Sequence, residues 1–443
     1  MRLTNDVAMR KDLIKSLIVL KQGEIPFNVV DRDMELPFGR KKIITLPGVR
    51  RCGKSTIMEI TINRLCEAGV PKERILWIGF DDERLRSMKS EDLDEVVQAY
   101  MELYPEVPIS EAHIFFDEIQ LIDGWEYFVL RLYKSYCKNI FVCGSNATML
   151  SSELASVLRG YPLEYEVFPL SFREYCRFLN VQIDTDGEQG RARLRSAFEA
   201  YNAASSFPEV VLCSSESEKL KMLHAYFDAM MLKDLAEHYR IANTGVVRYF
   251  AKRLMANLGK PTSVNAIYND IKSQGLKVSK DDLYLWAEYL CGIFLFLRVP
   301  KYDPSPIRER QSLAKYYCID SGLRKAVLLP QSDDDGKCLE NAVFLHLHRN
   351  RQPSDKISYW MGTHECDFVL QRGDRAVLLV QACWDISERA TLARELSGLA
   401  EASAATGCDR LVIVTKDTET ELGIAGKTVI VLPAWKWLLV NPV

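Results

Sequence analysis

Gly48-Val-Arg-Arg-Cys-Gly-Lys-Ser55 is the stretch that decides the fold of the first part of this chain. It fits the pattern G-x-x-x-x-G-K-[ST] at each fixed position. The apolar run 42–46 precedes it and predicts a buried strand, and helical periodicity from Ser55 to Cys66 follows it. A glycine-rich loop between a strand and a helix is the layout of a phosphate-binding loop. This context disfavours the alternative, a glycine-rich turn that binds nothing.

The chemistry of phosphate binding explains the residue types in this loop. The glycines let the backbone wrap closely, so that its N–H groups point at phosphate oxygens, and the following helix adds the positive end of its dipole. We expect Lys54 beside the β- and γ-phosphates of ATP and the Ser55 hydroxyl on Mg²⁺. Arg50 and Arg51 either touch phosphate or face a neighbouring domain. The predicted nucleotide contacts are Gly48, Val49, Arg50, Arg51, Cys52, Gly53, Lys54, Ser55 and Thr56.

Two acids, Asp117 and Glu118, follow the apolar run Ile114-Phe-Phe116. A carboxylate at the end of a buried strand is well placed to hold the magnesium shell, and we assign this role to Asp117 together with Ser55. Glu118 is placed to polarise the water that attacks the γ-phosphate. Acids after a strand usually belong to a solvated loop, but the position after a phosphate-binding loop favours the catalytic interpretation.

A polar pair, Ser145 and Asn146, ends another apolar run at 140–143. A sensor of the γ-phosphate would lie at such a strand end, and a helix-capping Ser or Asn is the alternative. The residues predicted to act in catalysis are therefore Lys54, Glu118 and Asn146.

Strand-like runs alternate with helix-like stretches through the first 165 residues or so. The runs are 42–46, 74–80, 113–116 and 140–143, and a helix-like stretch at 124–137 separates the last two. Such alternation predicts a largely parallel sheet that is covered on both faces. The expected fold class is α/β, with a phosphate-binding loop after the first strand.

The remainder of the chain begins with a helical pattern from Ser171 to about Arg240. Residues 246–298 contain three helix-like segments, and a hairpin is expected through Phe294–Lys301 and Lys315–Ile319; together they form the outline of a winged helix-turn-helix. The stretch 331–336 is a candidate linker. Strand-like runs at 376–382 and 410–415 belong to a mixed region behind it.

The bulk composition limits the class of protein. A chain of 443 residues is too long for one hydrophobic core, so two to four domains are expected. A net charge of −3 argues against a protein that coats nucleic acid along its whole surface. Twelve scattered cysteines without a C-x-x-C pair predict reduced thiols. Because neither a signal peptide nor a membrane span is recognisable, we expect a cytoplasmic protein without membrane contact.

Further motifs recur in order along nearly the whole chain. They are Phe80-Asp-Asp-Glu-Arg-Leu85, Phe116-Asp-Glu-Ile-Gln120, Gly144-Ser-Asn146, Pro169-Leu-Ser-Phe172 with Glu174, Lys315-Tyr-Tyr, Asp320-Ser-Gly-Leu323, Glu340-Asn341, Tyr359-Trp360, Glu365-Cys-Asp-Phe-Val369 and Trp435-Lys-Trp-Leu-Leu439. With the phosphate-binding loop they resemble a large prokaryotic family of AAA-like ATPases. Members of this family join an ATPase core to a C-terminal domain of uncharacterised function.

The resemblance implies four parts. They are a P-loop NTPase core with a parallel sheet of the AAA/ASCE type (1–165), a helical lid (166–245), a winged-helix segment (246–330) and an α/β domain similar to PD-(D/E)XK nucleases (331–443). The chain departs from the family where Gly-Gly-Phe-Pro is replaced by Ser205-Ser-Phe-Pro208, and where the usual Gly-Arg after the sensor strand is Gly160-Tyr161. Arg159 remains the candidate for an arginine that acts at a neighbour's nucleotide. AAA relatives often form rings, and a ring, a dimer and a monomer all stay open.

A nuclease of the implied kind needs carboxylates and a lysine around magnesium. Glu340 and Asp367 occupy the expected positions, and Glu365 shares a strand face with Asp367. The second strand, however, reads Gln381-Ala-Cys383 where (E/Q)-x-K is expected, and we see no lysine nearby in the sequence that replaces the missing one. The prediction is therefore a degenerate domain, with a relic or a stabilising polar cluster at its centre.

Three further features have alternative interpretations. His346 and His348 diverge on a helix, so surface histidines are expected rather than a metal site. Trp435 and Trp437 are expected to close a core rather than to stack on bases. The predicted recognition helix, 280–288, is acidic, which leaves both DNA binding and a connecting role open for the winged-helix segment.

Taken together, the residues and the resemblance predict an ATP-binding protein and Mg²⁺-dependent ATPase. Hydrolysis would reposition the lid, the winged-helix segment and the C-terminal domain, with DNA or an unknown protein as the partner. One alternative is a nucleotide-gated binding module that turns ATP over slowly. A less favoured one is an ATP-regulated nuclease.

Overall fold

The computed structural model describes residues 2–145, 157–158, 160–328 and 334–441. The chain forms two compact units, Met1–Val167 and Phe168–Val443. Across the described ranges, no helix is both long enough and apolar enough to cross a membrane. All twelve cysteines are free thiols, as their spacing predicted.

The first unit contains five strands, β1 (Ile43–Pro47), β2 (Ile75–Gly79), β3 (His113–Asp117), β4 (Ile140–Gly144) and β5 (Pro162–Glu164). They form one parallel sheet with the order β2-β3-β4-β1-β5. The sheet confirms the predicted P-loop NTPase α/β fold and its first four strands, and β5 was not foreseen. Because β4 lies between β1 and β3, the loop after β1 and the acids after β3 meet at one edge of the sheet.

Four helices of this unit are α1 (Arg2–Gly23), α2 (Lys54–Glu67), α3 (Asp94–Leu103) and α4 (Trp125–Ser135). Short 3₁₀ turns lie at Lys72–Arg74, Glu83–Leu85, Ser90–Asp92, Ile109–Glu111 and Ile119–Leu121. Every residue of β1 and β4 is buried, as expected for central strands that helices cover on both faces. One hydrophobic core joins α1, α3 and α4 to the sheet through side chains such as Ile14, Tyr100, Phe116 and Trp125.

The second unit begins with the predicted helical stretch. Its helices are α5 (Phe172–Phe178), α6 (Glu188–Ala203), α7 (Pro208–Leu212) and α8 (Glu216–Ala229), and a π-helix at Met230–Glu237 continues α8. Ser171 starts α5 through a capping box with Glu174. The loop expected at 205–209 is shorter than predicted, because Pro208 and Glu209 already belong to α7.

The three helices and the hairpin expected next are present. They are α9 (Thr244–Ala256), α10 (Val264–Ser273), α11 (Lys280–Gly292), β6 (Phe296–Val299) and β7 (Lys315–Cys318). Each helix starts where the sequence offers an N-cap, because Asn243, Ser263 and Ser279 accept hydrogen bonds from the backbone three residues later. A short helix, α12 (Pro306–Gln311), lies between β6 and β7.

A six-stranded mixed sheet follows, with the order β12-β13-β11-β10-β9-β8. Its strands are β8 (Asp355–Met361), β9 (Glu365–Arg372), β10 (Arg375–Ala382), β11 (Leu411–Thr415), β12 (Thr420–Ile424) and β13 (Lys427–Pro433). The helices of this region are α13 (Ser321–Val327), α14 (Asp334–Asn350), α15 (Arg389–Thr406) and α16 (Ala434–Trp437). The expected strands at 376–382 and 410–415 correspond to β10 and β11.

The connection between β6 and β7 packs along the edge of this sheet. The Tyr302 amide donates to the Tyr359 carbonyl at 2.7 Å, and the Tyr359 amide donates to the Pro300 carbonyl at 3.0 Å. The Tyr359 hydroxyl also donates to the Leu313 carbonyl at 2.8 Å. The hairpin connection is therefore tied to β8 on both sides of α12.

Two expectations for this region were wrong. The described part of the proposed linker, 334–336, is the first turn of α14, because buried Asp334 pairs with the Arg324 guanidinium at 2.9 Å. His346 is buried rather than exposed, and its Nε2 lies 2.9 Å from the Val440 carbonyl oxygen. Trp435 and Trp437 are buried, so the prediction that they close a core is confirmed.

Candidate functional site

The loop after β1 has the backbone that its glycines predicted. Gly53 adopts φ 98° and caps α2, and Arg51 is left-handed at φ 65°. Gly48 pairs with Val167 in an isolated parallel bridge. A Cβ on Gly48 would lie 2.3 Å from the Val167 carbonyl oxygen, so only glycine fits there. The loop is thus fixed at both ends by positions that disfavour a side chain.

Lys54 is buried at the start of α2 and folds back over this loop. Its ammonium donates to the carbonyl oxygens of Gly48, at 3.1 Å, and Val49, at 3.2 Å. Its Nζ also lies 3.8 Å from Glu118 Oε1. Burial alone would lower the pKa of Lys54, but the surrounding acidic groups, Glu118 first among them, together outweigh burial and raise it. The structure therefore places a charged ammonium between the loop and the acids that end β3.

Asp117, the last residue of β3, is buried beneath the loop. It accepts hydrogen bonds from the Cys143 thiol and from the Ser55 hydroxyl. Burial raises the pKa of Asp117, and these two hydrogen bonds offset that rise only in part. Ser55 and Asp117, predicted together as magnesium ligands, are thus in direct contact. Hard oxygen ligands on a strand end and on the first turn of a helix suit Mg²⁺, so the residues present fit the ion.

Glu118 stands in a left-handed conformation, φ 51° and ψ 35°, between β3 and the 3₁₀ turn Ile119–Leu121. Left-handed backbone is uncommon for a residue other than glycine and often marks a functional site. Its amide donates to the Cys143 carbonyl at 3.1 Å. The side chain is held on the other side by Gln120, whose Nε2 donates to Glu118 Oε2. The carboxylate that the sequence predicts to be catalytic therefore has two neighbours, the charged ammonium of Lys54 and the neutral carboxamide of Gln120.

The other predicted nucleotide contacts lie in the same loop and first turn. Val49 and Cys52 are buried, and Arg51 is exposed. Two sequence predictions, the sensor Asn146 and the arginine candidate Arg159, lie outside the described residues. Sequence reasoning missed Arg32. Its guanidinium donates to the Cys52 carbonyl at 2.9 Å, so a segment 20 residues earlier in the chain supports the loop. No motif marked it, although it is a buried arginine.

A second group of charges lies in the C-terminal part, around the buried ammonium of Lys315. Its Nζ is 3.0 Å from Glu340 Oε1, 2.5 Å from Glu365 Oε1 and 3.2 Å from Asp367 Oδ1. The Tyr317 hydroxyl donates to Glu340 Oε1 at 2.6 Å. Burial would lower the pKa of Lys315, but these acids, Glu340 first, raise it well above its usual range. Glu365 and Asp367 do share one strand face, as predicted.

The sequence offers no lysine beside Gln381-Ala-Cys383, but the fold brings a distant lysine to the acids. Lys315 lies on β7, 52 residues before Asp367, and its ammonium reaches the acids through the fold. A signal was available, since a lysine in a fully buried strand requires partners of opposite charge. Gln381, the amide that replaces the acid of the motif, has other partners. It accepts from the Asp367 amide at 2.9 Å and donates to Glu395.

This cluster does not fit a divalent metal. Lys315 already contacts all three acids, and Asp367 Oδ2 accepts from the Ala382 amide at 3.0 Å. Over the ranges that the structure describes, no group of three or more His, Cys, Asp or Glu side chains is arranged to hold a metal ion. Burial raises the pKa of Glu340 to about 7, which agrees with an excess of acids over the single ammonium. We conclude that the resident cation of this cluster is Lys315.

Two protein-family models match parts of the chain. A model described as an AAA domain matches residues 40–176, which contain the phosphate-binding loop, the sheet and the acids after β3. A model described as a domain of unknown function (DUF8612) matches residues 195–334. The AAA domain places the first unit among P-loop ATPases, as the sequence motifs indicated. The nuclease-like C-terminal part has no such support.

Comparison with individual proteins finds relatives along most of the chain. An uncharacterized protein of Methanocaldococcus jannaschii is 29% identical over 97% of this chain and 96% of its own length. Solved structures include the Aeropyrum pernix Orc1 protein in complex with DNA (13% identity, 72% of this chain, 91% of that chain, TM-score 0.25). Cdc6p from Pyrobaculum aerophilum shows 10% identity over 63% of this chain and 86% of that chain, with a TM-score of 0.26.

Because these TM-scores are low, the two solved structures do not support an assignment of this chain to a family. The assignment rests on the sequence relatives and on the family model. An uncharacterized protein of Haemophilus influenzae is 30% identical over 78% of this chain and 83% of its own length. The chain therefore belongs to the same family as this Haemophilus influenzae protein, and its residues 40–176 are an AAA domain of the P-loop ATPase class.

Proposed function

We propose that the chain is a Mg²⁺-dependent ATPase whose site lies at the carboxyl ends of β1 and β3. The loop 48–53 and the first turn of α2 bind the phosphates of ATP, with Lys54 as their positive charge. Ser55 and Asp117 hold the magnesium shell, Glu118 activates water, and Asn146 senses the γ-phosphate. When bound, Mg²⁺ neutralises charge that develops on the phosphate oxygens.

One observation carries this proposal, namely the pairing of Lys54 with Glu118. Lys54 begins α2 and Glu118 directly follows β3, and their charged atoms are 3.8 Å apart at a largely buried position. A phosphate group that binds the loop is a stronger partner for Lys54 than the neutral carbonyls of Gly48 and Val49, because it is negatively charged. The ammonium should therefore leave these carbonyls when phosphate binds. Glu118 Oε1 is thereby released toward the phosphate, where a water needs a base.

Hydrolysis is then used to reposition the helical, winged-helix and C-terminal parts of the second unit. DNA is the candidate partner that three helices and a hairpin suggest. Two features of the second unit disfavour a DNA contact through the start of α11 or through the hairpin connection. Asp281 and Asp282 stand in the first turn of α11, and the hairpin connection is tied to β8. A DNA contact would therefore use elements other than the start of α11, and a protein partner is the alternative.

The test is steady-state ATP hydrolysis by the full chain and by Glu118→Gln, with and without double-stranded DNA. Removal of the base is expected to lower kcat by about 100-fold or more, while ATP still binds. Glu111→Gln is the matched control, because Glu111 pairs with Arg74 on the surface of the same unit. Stimulation by DNA would identify the partner.

Two other outcomes would redirect the assignment. ATP binding without turnover in the unaltered chain would contradict the ATPase and leave a nucleotide-gated binding module. Mg²⁺-dependent cleavage of DNA that Asp367→Asn abolishes would revive the nuclease interpretation. We propose no nuclease, because Lys315 occupies the centre of the acids that a metal would need.

A further inference from the structure

Gln120 holds the carboxylate on which the proposed reaction depends. A carboxylate only accepts hydrogen bonds, so the Gln120 carboxamide must present Nε2 to Glu118 Oε2, as the structure has it. Gln120 is itself buried, at 7% exposure, which limits the conformations of its side chain. The contact therefore joins one oxygen of Glu118 to a neighbour that has little freedom to move.

The two oxygens of Glu118 are thereby made unequal. Oε2 faces the carboxamide, and Oε1 faces Lys54 Nζ at 3.8 Å. A left-handed backbone turn at Glu118 directs the side chain toward this position, and without a second anchor a glutamate has several rotamers available. General-base catalysis requires that the base be held within hydrogen-bond reach of the water.

The end of β4 is shaped to receive the same carboxamide. A Cβ built on Gly144 would lie 2.4 Å from Gln120 Oε1 and 2.8 Å from its Cδ. The carboxamide thus packs directly against the glycine backbone, and Glu118 is linked through it to the strand that leads toward Ser145. Gly144 does not have a positive φ, so its backbone conformation would accept other residues. The close approach of the Gln120 carboxamide is what disfavours a side chain at this position.

We propose that Gln120 is a positioning residue for ATP hydrolysis, which fixes one oxygen of Glu118 so that the other faces the attacking water. The inference rests on the proposed ATPase function. It assigns Gln120 no contact with ATP or magnesium, so its effect should fall on kcat rather than on ATP binding. It also makes Gly144 part of the same device, because any larger residue there displaces the carboxamide.

The test compares kcat, KM and the equilibrium Kd of ATP in the full chain, Gln120→Met and Gly144→Ala. Methionine keeps the length of the side chain but cannot donate, and alanine at 144 displaces the carboxamide while residues 118 and 120 keep their identity. Both variants are expected to lower kcat by about 10-fold to 100-fold, as a misplaced base does, with Kd changed by less than about 2-fold. Leu121→Met, an exposed position of the same turn, is the control and should keep full turnover.

The outcomes separate this inference from the ATPase proposal. Full kcat in both variants of an active chain would overturn the role of Gln120 and leave the ATPase intact. An equal loss of ATP affinity would assign Gln120 to folding of the loop and would also overturn it. No turnover by the unaltered chain would overturn the ATPase and this inference together. If Gln120→Met does not fold, Gly144→Ala alone decides between the first two results.

Discussion

Lys315 and Asp367 are 52 residues apart in the chain, yet Lys315 Nζ lies 3.2 Å from Asp367 Oδ1 inside the protein. The contact joins β7 of the hairpin to β9 of the six-stranded sheet. Glu340, on α14, completes the link from a third element. Buried charges are tolerated only when they are paired, so these elements depend on one another for their stability.

Replacement of this lysine should therefore destabilise the second unit. Lys315→Met leaves Glu340, Glu365 and Asp367 without their ammonium, and removing one partner of a buried ion pair costs about 3–5 kcal/mol. Native-state hydrogen exchange of the β9 amides would measure the loss locally. Lys436→Met is the control, because Lys436 pairs with Glu419 at the surface and should change stability by less than about 1 kcal/mol. Unchanged protection of β9 would contradict the assigned role of Lys315.

Burial of His346 should by itself destabilise the second unit as the pH drops below about 6.5, against the opposite contribution of Glu340, whose raised pKa favours the folded state on acidification. Burial lowers the pKa of this imidazole to about 4, whereas an unfolded histidine titrates near its usual value of 6.5. Between these two values the unfolded chain binds the additional proton, so stability is lost as the pH falls through this window. The contribution is on the order of 3 kcal/mol.

Unfolding midpoints in urea between pH 7 and pH 4 would test this dependence. His346→Gln should be less stable at pH 7 but should lose less stability on acidification. His224→Gln, at an exposed position, should retain the slope of the unaltered chain. The same slope in His346→Gln would show that other groups cause the acid sensitivity.

Alanine at Gly48 should disturb the phosphate-binding loop. Its Cβ would lie 2.3 Å from a backbone oxygen of Val167, and backbone can yield only by moving the loop or the segment that follows β5. We expect a loss of about 1–3 kcal/mol in stability, as for overpacked sites, and weaker ATP binding. Gly245→Ala is the control, since no atom lies within 4 Å of a Cβ there, and it should be neutral or slightly stabilising. Thermal unfolding and ATP titration of both variants measure the difference.

Lys54→Ala should abolish most ATP binding without unfolding the first unit. The ammonium is the positive charge of the loop, and its contacts in the protein are two carbonyl oxygens and Glu118. Its removal weakens the attraction for phosphate and also leaves Glu118 without its cation. We expect at least a 10-fold rise in the Kd of ATP, by fluorescence titration. Tight binding by this variant would place the phosphates elsewhere.

Local pattern was sufficient for much of the first unit. The runs before Pro47, Gly79, Asp117 and Gly144 predicted four strands within one or two residues, because buried parallel strands are continuous apolar runs. The phosphate-binding loop was recognisable because its glycines and lysine are consecutive in the chain. The pair Glu365 and Asp367 was placed on one face by the two-residue period of a strand.

Local pattern was misleading where burial depends on distant segments. His346 was expected at the surface, since the residues beside it on α14 do not show that the carbonyl of Val440 lies against the ring. The stretch 331–336 was interpreted as a linker, although Asp334, at the start of α14, is buried against Arg324. In both cases the residue that buries the side chain, Val440 for His346 and Arg324 for Asp334, lies outside α14.

The sequence by itself determined the AAA-type fold of the first unit, the phosphate-binding loop and the acids that follow β3. These features rest on residues that are adjacent in the chain or repeat with the period of a helix or strand. Only the tertiary structure decided which side chains complete each site. Gln120 against Gly144, Arg32 behind the loop and Lys315 among three acids are contacts between elements, and short-range interactions along the chain do not specify them.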